Sequence, residues 1–111
     1  MAALAEANRV RLRRASLIRW MHGHSPAESH ERAAELILEP DPVLQSMLVV
    51  KLLERVRRMG PAQAERMLTC ADIAPARTVG ALTSRQRAGL AALLRLRADQ
   101  LSQYRRSKPA R

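Results

Sequence analysis

Apolar residues recur along this chain at helical spacing, and no stretch alternates with the period of two that a strand needs. In residues 3–22, Val10, Leu17, Ile18 and Met21 fall on one side. Arg9, Arg11, Arg13, Arg14 and Arg19 cover the rest, with Arg14 bordering the stripe. This predicts a basic first helix, ended by His22-Gly23-His24. Ser25, then Pro26, then Glu28 three positions after the serine spell a capping box with proline at the first helical position. A second helix is expected from there to about Glu39, with Ala33, Ala34, Leu36 and Ile37 inward. Pro40 and Pro42 stiffen the next turn, where Asp41 is placed to cap a third helix. Val43, Leu44, Met47, Leu48, Leu52 and Val56 keep one broad apolar face up to Gly60-Pro61. Gly60 is expected to adopt the left-handed conformation that ends a helix, and Pro61 to open the next.

The fourth helix is short. Ala64, Met67 and Leu68 supply its apolar face, and it fails between Ala71 and Pro75. A compact loop from Ala74 to Leu82 leads to Thr83, which forms a capping box with Gln86. The last helix then spans 84–106, with Leu90, Leu93, Leu94, Leu101 and Tyr104 inward. The pattern predicts an all-α fold of five helices in one domain over residues 1–111. Within it lie a basic N-terminal helix (1–24), a core (43–96) and a basic tail (105–111) expected to be flexible.

Composition sharpens this picture. Trp20 and Tyr104 are the only aromatic residues, so the core must be aliphatic. Trp20 is expected to anchor it rather than to offer a platform for stacking bases. Lys and Arg number 20 against 10 acids, a net charge of +10. Of the basic residues 18 are arginine, the planar fork that suits phosphate and base edges. A polyanionic partner follows. The charge is uneven. Glu28, Glu31, Glu35, Glu39 and Asp41 against Arg32 make the second helix acidic, a face that should avoid a polyanion. From Arg77 onward nine basic residues face one acid, Asp99.

Several chemistries lack their residues. Cys70 is the single cysteine, so no internal disulfide forms; a reducing cytoplasm suits it. With no histidine near in sequence, it is expected to be a small core residue. His22, His24 and His30 have no cysteine or carboxylate at metal-binding spacing. The four glycines are scattered, without a phosphate-cradling loop. No catalytic constellation, cofactor or small-molecule substrate is expected. No apolar run approaches the roughly 18 residues of a membrane span, and the N-terminus lacks a cleavable leader pattern.

One set of residues adds a family resemblance. Leu52-Leu53-Glu54, Gly60, Ala64, Met67, Ile73-Ala74-Pro75, Arg77, Val79, Leu82 and Arg85-Gln86-Arg87 occur in the order of a helix–two-turn–helix module. More closely, the stretch Val43–Leu94 resembles the actinobacterial integration host factor family of small nucleoid-associated proteins, with a weaker likeness upstream. The family's loop reads R-R-V/L-R-G-L; here it is Arg77, Thr78, Val79, Gly80, Ala81, Leu82. Before Gly60 the family has a proline and then glycine or lysine; here stand Arg57 and Arg58. The resemblance implies sequence-tolerant binding of double-stranded DNA through its phosphates and minor groove, by an architectural protein of the cytoplasmic nucleoid.

The candidate contacts follow from charge and from this likeness. The backbone N–H groups of Ala62 and Gln63, beside Gly60, open a helix whose dipole favours a phosphate. Arg57 and Arg58 flank it. Arg77 and Thr78 stand in the loop, with Arg77 able to enter a minor groove. Arg85 lies on the last helix, and Arg9 and Arg13 on the first, along phosphates. Two other readings stay open. A small-subunit ribosomal protein carries a similar module, which would make this an RNA or ribonucleoprotein binder. A protein-interaction adaptor that has lost most loop arginines is the other. DNA glycosylases with the module are much larger, with an N-terminal nucleophile and often a zinc finger. Oligomeric state is not set by the sequence.

Overall fold

The computed structural model describes residues 2–107, with side chains to 104. Five α-helices form among them: α1 (Ala2–His22), α2 (Pro26–Leu38), α3 (Val49–Leu53), α4 (Pro61–Cys70) and α5 (Ser84–Ser107). Two 3-10 turns, Pro42–Leu44 and Val79–Ala81, complete the order. The expected tail lies outside the described residues, except that the backbone of 105–107 continues α5.

Local chemistry starts the helices where the sequence places it. Ser25 Oγ accepts from the Glu28 N–H at 3.2 Å, and the Glu28 carboxylate accepts from the Ser25 N–H at 3.2 Å. Thr83 and Gln86 repeat the arrangement at 3.1 and 3.0 Å. Gln86 also donates to the Asp72 carbonyl at 2.8 Å, which fixes the start of α5 against the end of α4. Each such cap contributes about 1 kcal/mol.

The core centres on α2 and α5, the pair in most extensive contact. Ala33, Ala34 and Ile37 meet Leu90, Ala91 and Leu94, and Val49, Leu52, Leu53, Val56, Ala64 and Met67 close the cluster from the side. A smaller cluster of Leu17, Leu36, Val43 and Leu44 seats the second half of α1. Residues 2–9 are all exposed, so about 12 Å of α1 stands clear of the body. The molecule is elongated, 56 × 32 × 22 Å.

The expected third helix does not form as one element. Residues 42–59 make a 3-10 turn, an extended bend, the five-residue α3 and a further set of turns. The cause is a pairing with a loop thirty residues away. Val79 N–H donates to the Met47 carbonyl at 2.9 Å, Gly80 N–H to Gln45 at 2.9 Å, and Val49 N–H to Arg77 at 3.0 Å. These bonds use groups that a continuous helix would have kept for itself. Gly80 permits the approach, since a Cβ there would lie 3.0 Å from Gln45 Cβ and its carbonyl oxygen. The inward set still largely holds, with Val43, Leu44, Leu52 and Val56 buried.

Other expectations need correction. Gly60 is extended (φ −82°, ψ 168°); the left-handed residue of this turn is Arg58, φ 66°, and a second, Asp72 (φ 59°), follows α4. Trp20 is 41% exposed rather than in the core. It stacks on the His24 ring, centroids 3.6 Å apart, with the Arg32 guanidinium 5.7 Å from its centre. Tyr104 is 61% exposed, because the end of α5 runs past the helices that would cover it. Cys70, in the last turn of α4, is exposed.

Candidate nucleic-acid interface

The turn between α3 and α4 carries Arg57, Arg58 and Gly60, and the first turn of α4 carries Ala62 and Gln63. Gly60 caps α4 without a side chain, and the first intrahelical bond runs from Ala64 N–H to the Gly60 carbonyl at 3.0 Å. The N–H groups of Ala62 and Gln63 precede that bond, so they lack intrahelical acceptors, and Pro61 has no N–H to offer. A Cβ on Gly60 would meet nothing within 4 Å. Glycine is therefore required there neither by conformation nor by packing.

Arg57 and Arg58 are exposed but not equivalent. Arg57 donates one guanidinium N–H to the His24 carbonyl at 2.5 Å, and its backbone N–H to Ser29 Oγ at 3.1 Å. The Arg58 side chain has no hydrogen bond or ion pair with another described residue, whereas its carbonyl accepts from Arg97 Nη2 at 2.9 Å. Gln63 accepts through its side chain from Arg66 at 2.9 Å.

The remaining candidates are distributed over other elements. Arg77 is exposed, and its carbonyl is tied to the start of α3. Along the chain, α4 and the loop after it separate Arg77 from Gly60. Thr78 is half-buried in an isolated antiparallel bridge with Leu48. Arg85 projects from the first turn of α5, held near Asp72 by the Gln86 bond. On α1, Arg9 pairs with Glu6 at 2.6 Å and Arg13 with Asp41 at 3.1 Å. Arg9 holds the Glu6 carboxyl below its ordinary pKa. That of Asp41 is lowered first by its bond from the Val43 N–H and then by Arg13. Glu31, on the acidic face of α2, meets α5 through Arg95 at 3.7 Å.

Sequence reasoning read the arginines as a solvated or polyanion-facing set and missed those that hold the fold. Arg14 donates twice to the Val43 carbonyl, at 2.7 and 3.1 Å. Arg87 donates to the carbonyls of Ile37 at 3.0 Å and Gly80 at 3.3 Å. Arg97 donates from Nε to His30 Nε2 at 3.0 Å. Ser29 and His30, both 0% exposed, are the buried polar side chains among the described residues. A signal existed for them, since they precede the inward Ala33 and Ala34 by four positions and so share their face.

The partners of His30 define its protonation. Nε2 accepts from Arg97, so it carries no proton, and Nδ1–H donates to the Pro26 carbonyl at 2.7 Å. Burial lowers the pKa of this ring and Arg97 lowers it further, against the pull of the Pro26 bond. The unfolded chain therefore takes up a proton that the folded chain resists. Stability from this group is full above the ordinary histidine value, about 6.5, and is lost as pH falls from there toward the folded-state pKa. The thermal midpoint is expected to drop between about pH 7 and pH 5. A matched series on His30→Gln should be flatter; equal slopes would show that His30 does not contribute.

Among the described residues no group of His, Cys, Asp or Glu side chains is arranged to hold a metal ion. No described helix is long and apolar enough to cross a membrane.

Fold and surface together define a small all-α protein with exposed arginines around a short interhelical turn. No protein-family model and no curated protein matches this chain. A solved structure of sIHF bound to an 8-bp palindromic DNA is similar to it, with a TM-score of 0.60 and 26% identity. The match covers 81% of this chain and 98% of that one, so about a fifth of this chain lies outside it.

Proposed function

We propose that this protein binds double-stranded DNA with little sequence preference, as an integration host factor-like architectural protein of the nucleoid. The observation that carries this reading is the likeness of fold to sIHF, whose structure holds DNA. Residues 1–111 act as one domain, with α3, the turn, α4 and the start of α5 as a helix–two-turn–helix module.

A phosphate sits at the bare start of α4, where the N–H groups of Ala62 and Gln63 and the helix dipole attract it. Gly60 leaves that approach open, which accounts for a glycine in a position with room for a side chain. Arg58 and the free N–H groups of Arg57 flank the phosphate, and Arg85 and Arg77 extend the contact, with Arg77 in a minor groove. The exposed Arg9–Glu6 pair contributes little to folding, so a phosphate can compete for Arg9; Arg13 does the same from beside Asp41.

The test is competition at one fixed salt concentration between a DNA duplex and a structured RNA of equal length. The DNA duplex should win. Preference for the RNA would favour a ribonucleoprotein role. Binding to neither, with capture of a defined protein, would favour an adaptor.

A further inference from the structure

We infer that His30 and Arg97 are positioning residues that hold the Arg57–Arg58 turn in its DNA-facing geometry, an inference that rests on the reading of that turn as a contact. Both buried polar side chains of α2 serve this one turn. Ser29 Oγ takes the Arg57 N–H at 3.1 Å. His30 Nε2 takes Arg97 Nε–H at 3.0 Å, and Arg97 Nη2 reaches the Arg58 carbonyl at 2.9 Å.

The turn needs holding. Arg58 has a φ of 66°, the left-handed region that disfavours any residue with a Cβ. A chain free to relax would rotate it back, or would place glycine there. Here glycine stands two positions later, where the backbone is ordinary. The arginine is kept at the strained position, and the strain is opposed by bonds from two helices. Such over-determined outliers occur where a side chain must be aimed. The neutral histidine is suited to its place in the chain, because it offers an acceptor to Arg97 without a charge to compete for the guanidinium. Pro26 does not depend on it, since its carbonyl also lies within reach of the backbone N–H four residues on, in the first turn of α2.

Two variants separate positioning from bulk stability. His30→Leu keeps the volume but removes the acceptor; His30→Gln restores an acceptor oxygen. At fixed salt, His30→Leu should bind a 20-bp duplex about tenfold more weakly, while His30→Gln stays within about twofold of the parent protein. The salt slope should not change, because no phosphate contact is removed. In an Arg57→Ala/Arg58→Gly background the effect of His30→Leu should vanish. Full loss in that background, or no loss in the parent, would overturn the inference.

A second measurement is independent of DNA. The amide protons of Arg57 and Met59, bonded to Ser29 Oγ and the Val56 carbonyl, should exchange at least about tenfold faster in His30→Leu. Unchanged exchange would overturn the positioning role whatever the binding result. If the parent protein binds no duplex, the functional reading fails and amide exchange alone decides this inference.

Discussion

Affinity for duplex DNA should fall about five-hundredfold when salt is raised from about 50 to about 200 mM. The figure comes from the arginines that remain available. Arg58, Arg77 and Arg85 are exposed, and no hydrogen bond or ion pair joins their side chains to another described residue; Arg9 and Arg13 join them once a phosphate displaces the carboxylates of Glu6 and Asp41. Five phosphate contacts give a log–log slope of about −4.5, and a fourfold rise in salt then costs close to three orders of magnitude. The formal charge of +10 would suggest a steeper response. It overstates the free cations, because Arg14, Arg57, Arg87 and Arg97 are tied to backbone carbonyls. Fluorescence anisotropy across a salt series measures the slope. A value shallower than about −2 would remove the phosphate account; one near −9 would mean that the tied arginines and the tail also join the interface.

Replacing Arg87 by methionine should lower stability by about 2 kcal/mol and the thermal midpoint by about 10 °C. Methionine keeps the packing of the stem, so the change isolates the guanidinium. That group bonds Ile37, whose carbonyl is among the last four of α2 and has no partner within the helix. It also bonds Gly80, in the loop whose backbone holds residues 45–49 open. Its loss frees the end of the central helix and the loop at once. A midpoint within about 2 °C of the parent protein would show that water replaces both bonds without cost.

Helix starts were legible in the sequence because their chemistry is local. Ser25 with Glu28 and Thr83 with Gln86 lie within one turn, and both boxes form. The inward faces of α2 and α5 were legible for the same reason. The third helix was not, since Val43 to Val56 satisfy a helical period while their backbone groups pair with residues 77–80. Only Gly80 hinted at that approach, and its meaning depends on a neighbour thirty-five positions away. The left-handed residue went to Gly60 on propensity, whereas bonds from α2 and α5 place it at Arg58. The turn that carries Arg57, Arg58 and Gly60 was found from charge and punctuation. The roles of Ser29, His30, Arg87 and Arg97 were hidden, because a guanidinium bonded to a distant carbonyl leaves no spacing rule in the chain.

The main partner of α2 is α5, and some forty-five residues of chain lie between them. A ribosome adding about 5–20 residues per second makes α2 several seconds before α5. Throughout that interval Ala33, Ala34 and Ile37 have no Leu90 or Leu94 to cover them. The nascent chain is thus a late closer: α1 and α2 can form early, but the core condenses only when synthesis is nearly complete. Truncated products that stop before Leu90 would carry the arginines of α1 and the bare apolar face of α2 together, a combination prone to aggregate on ribosomal RNA and on one another.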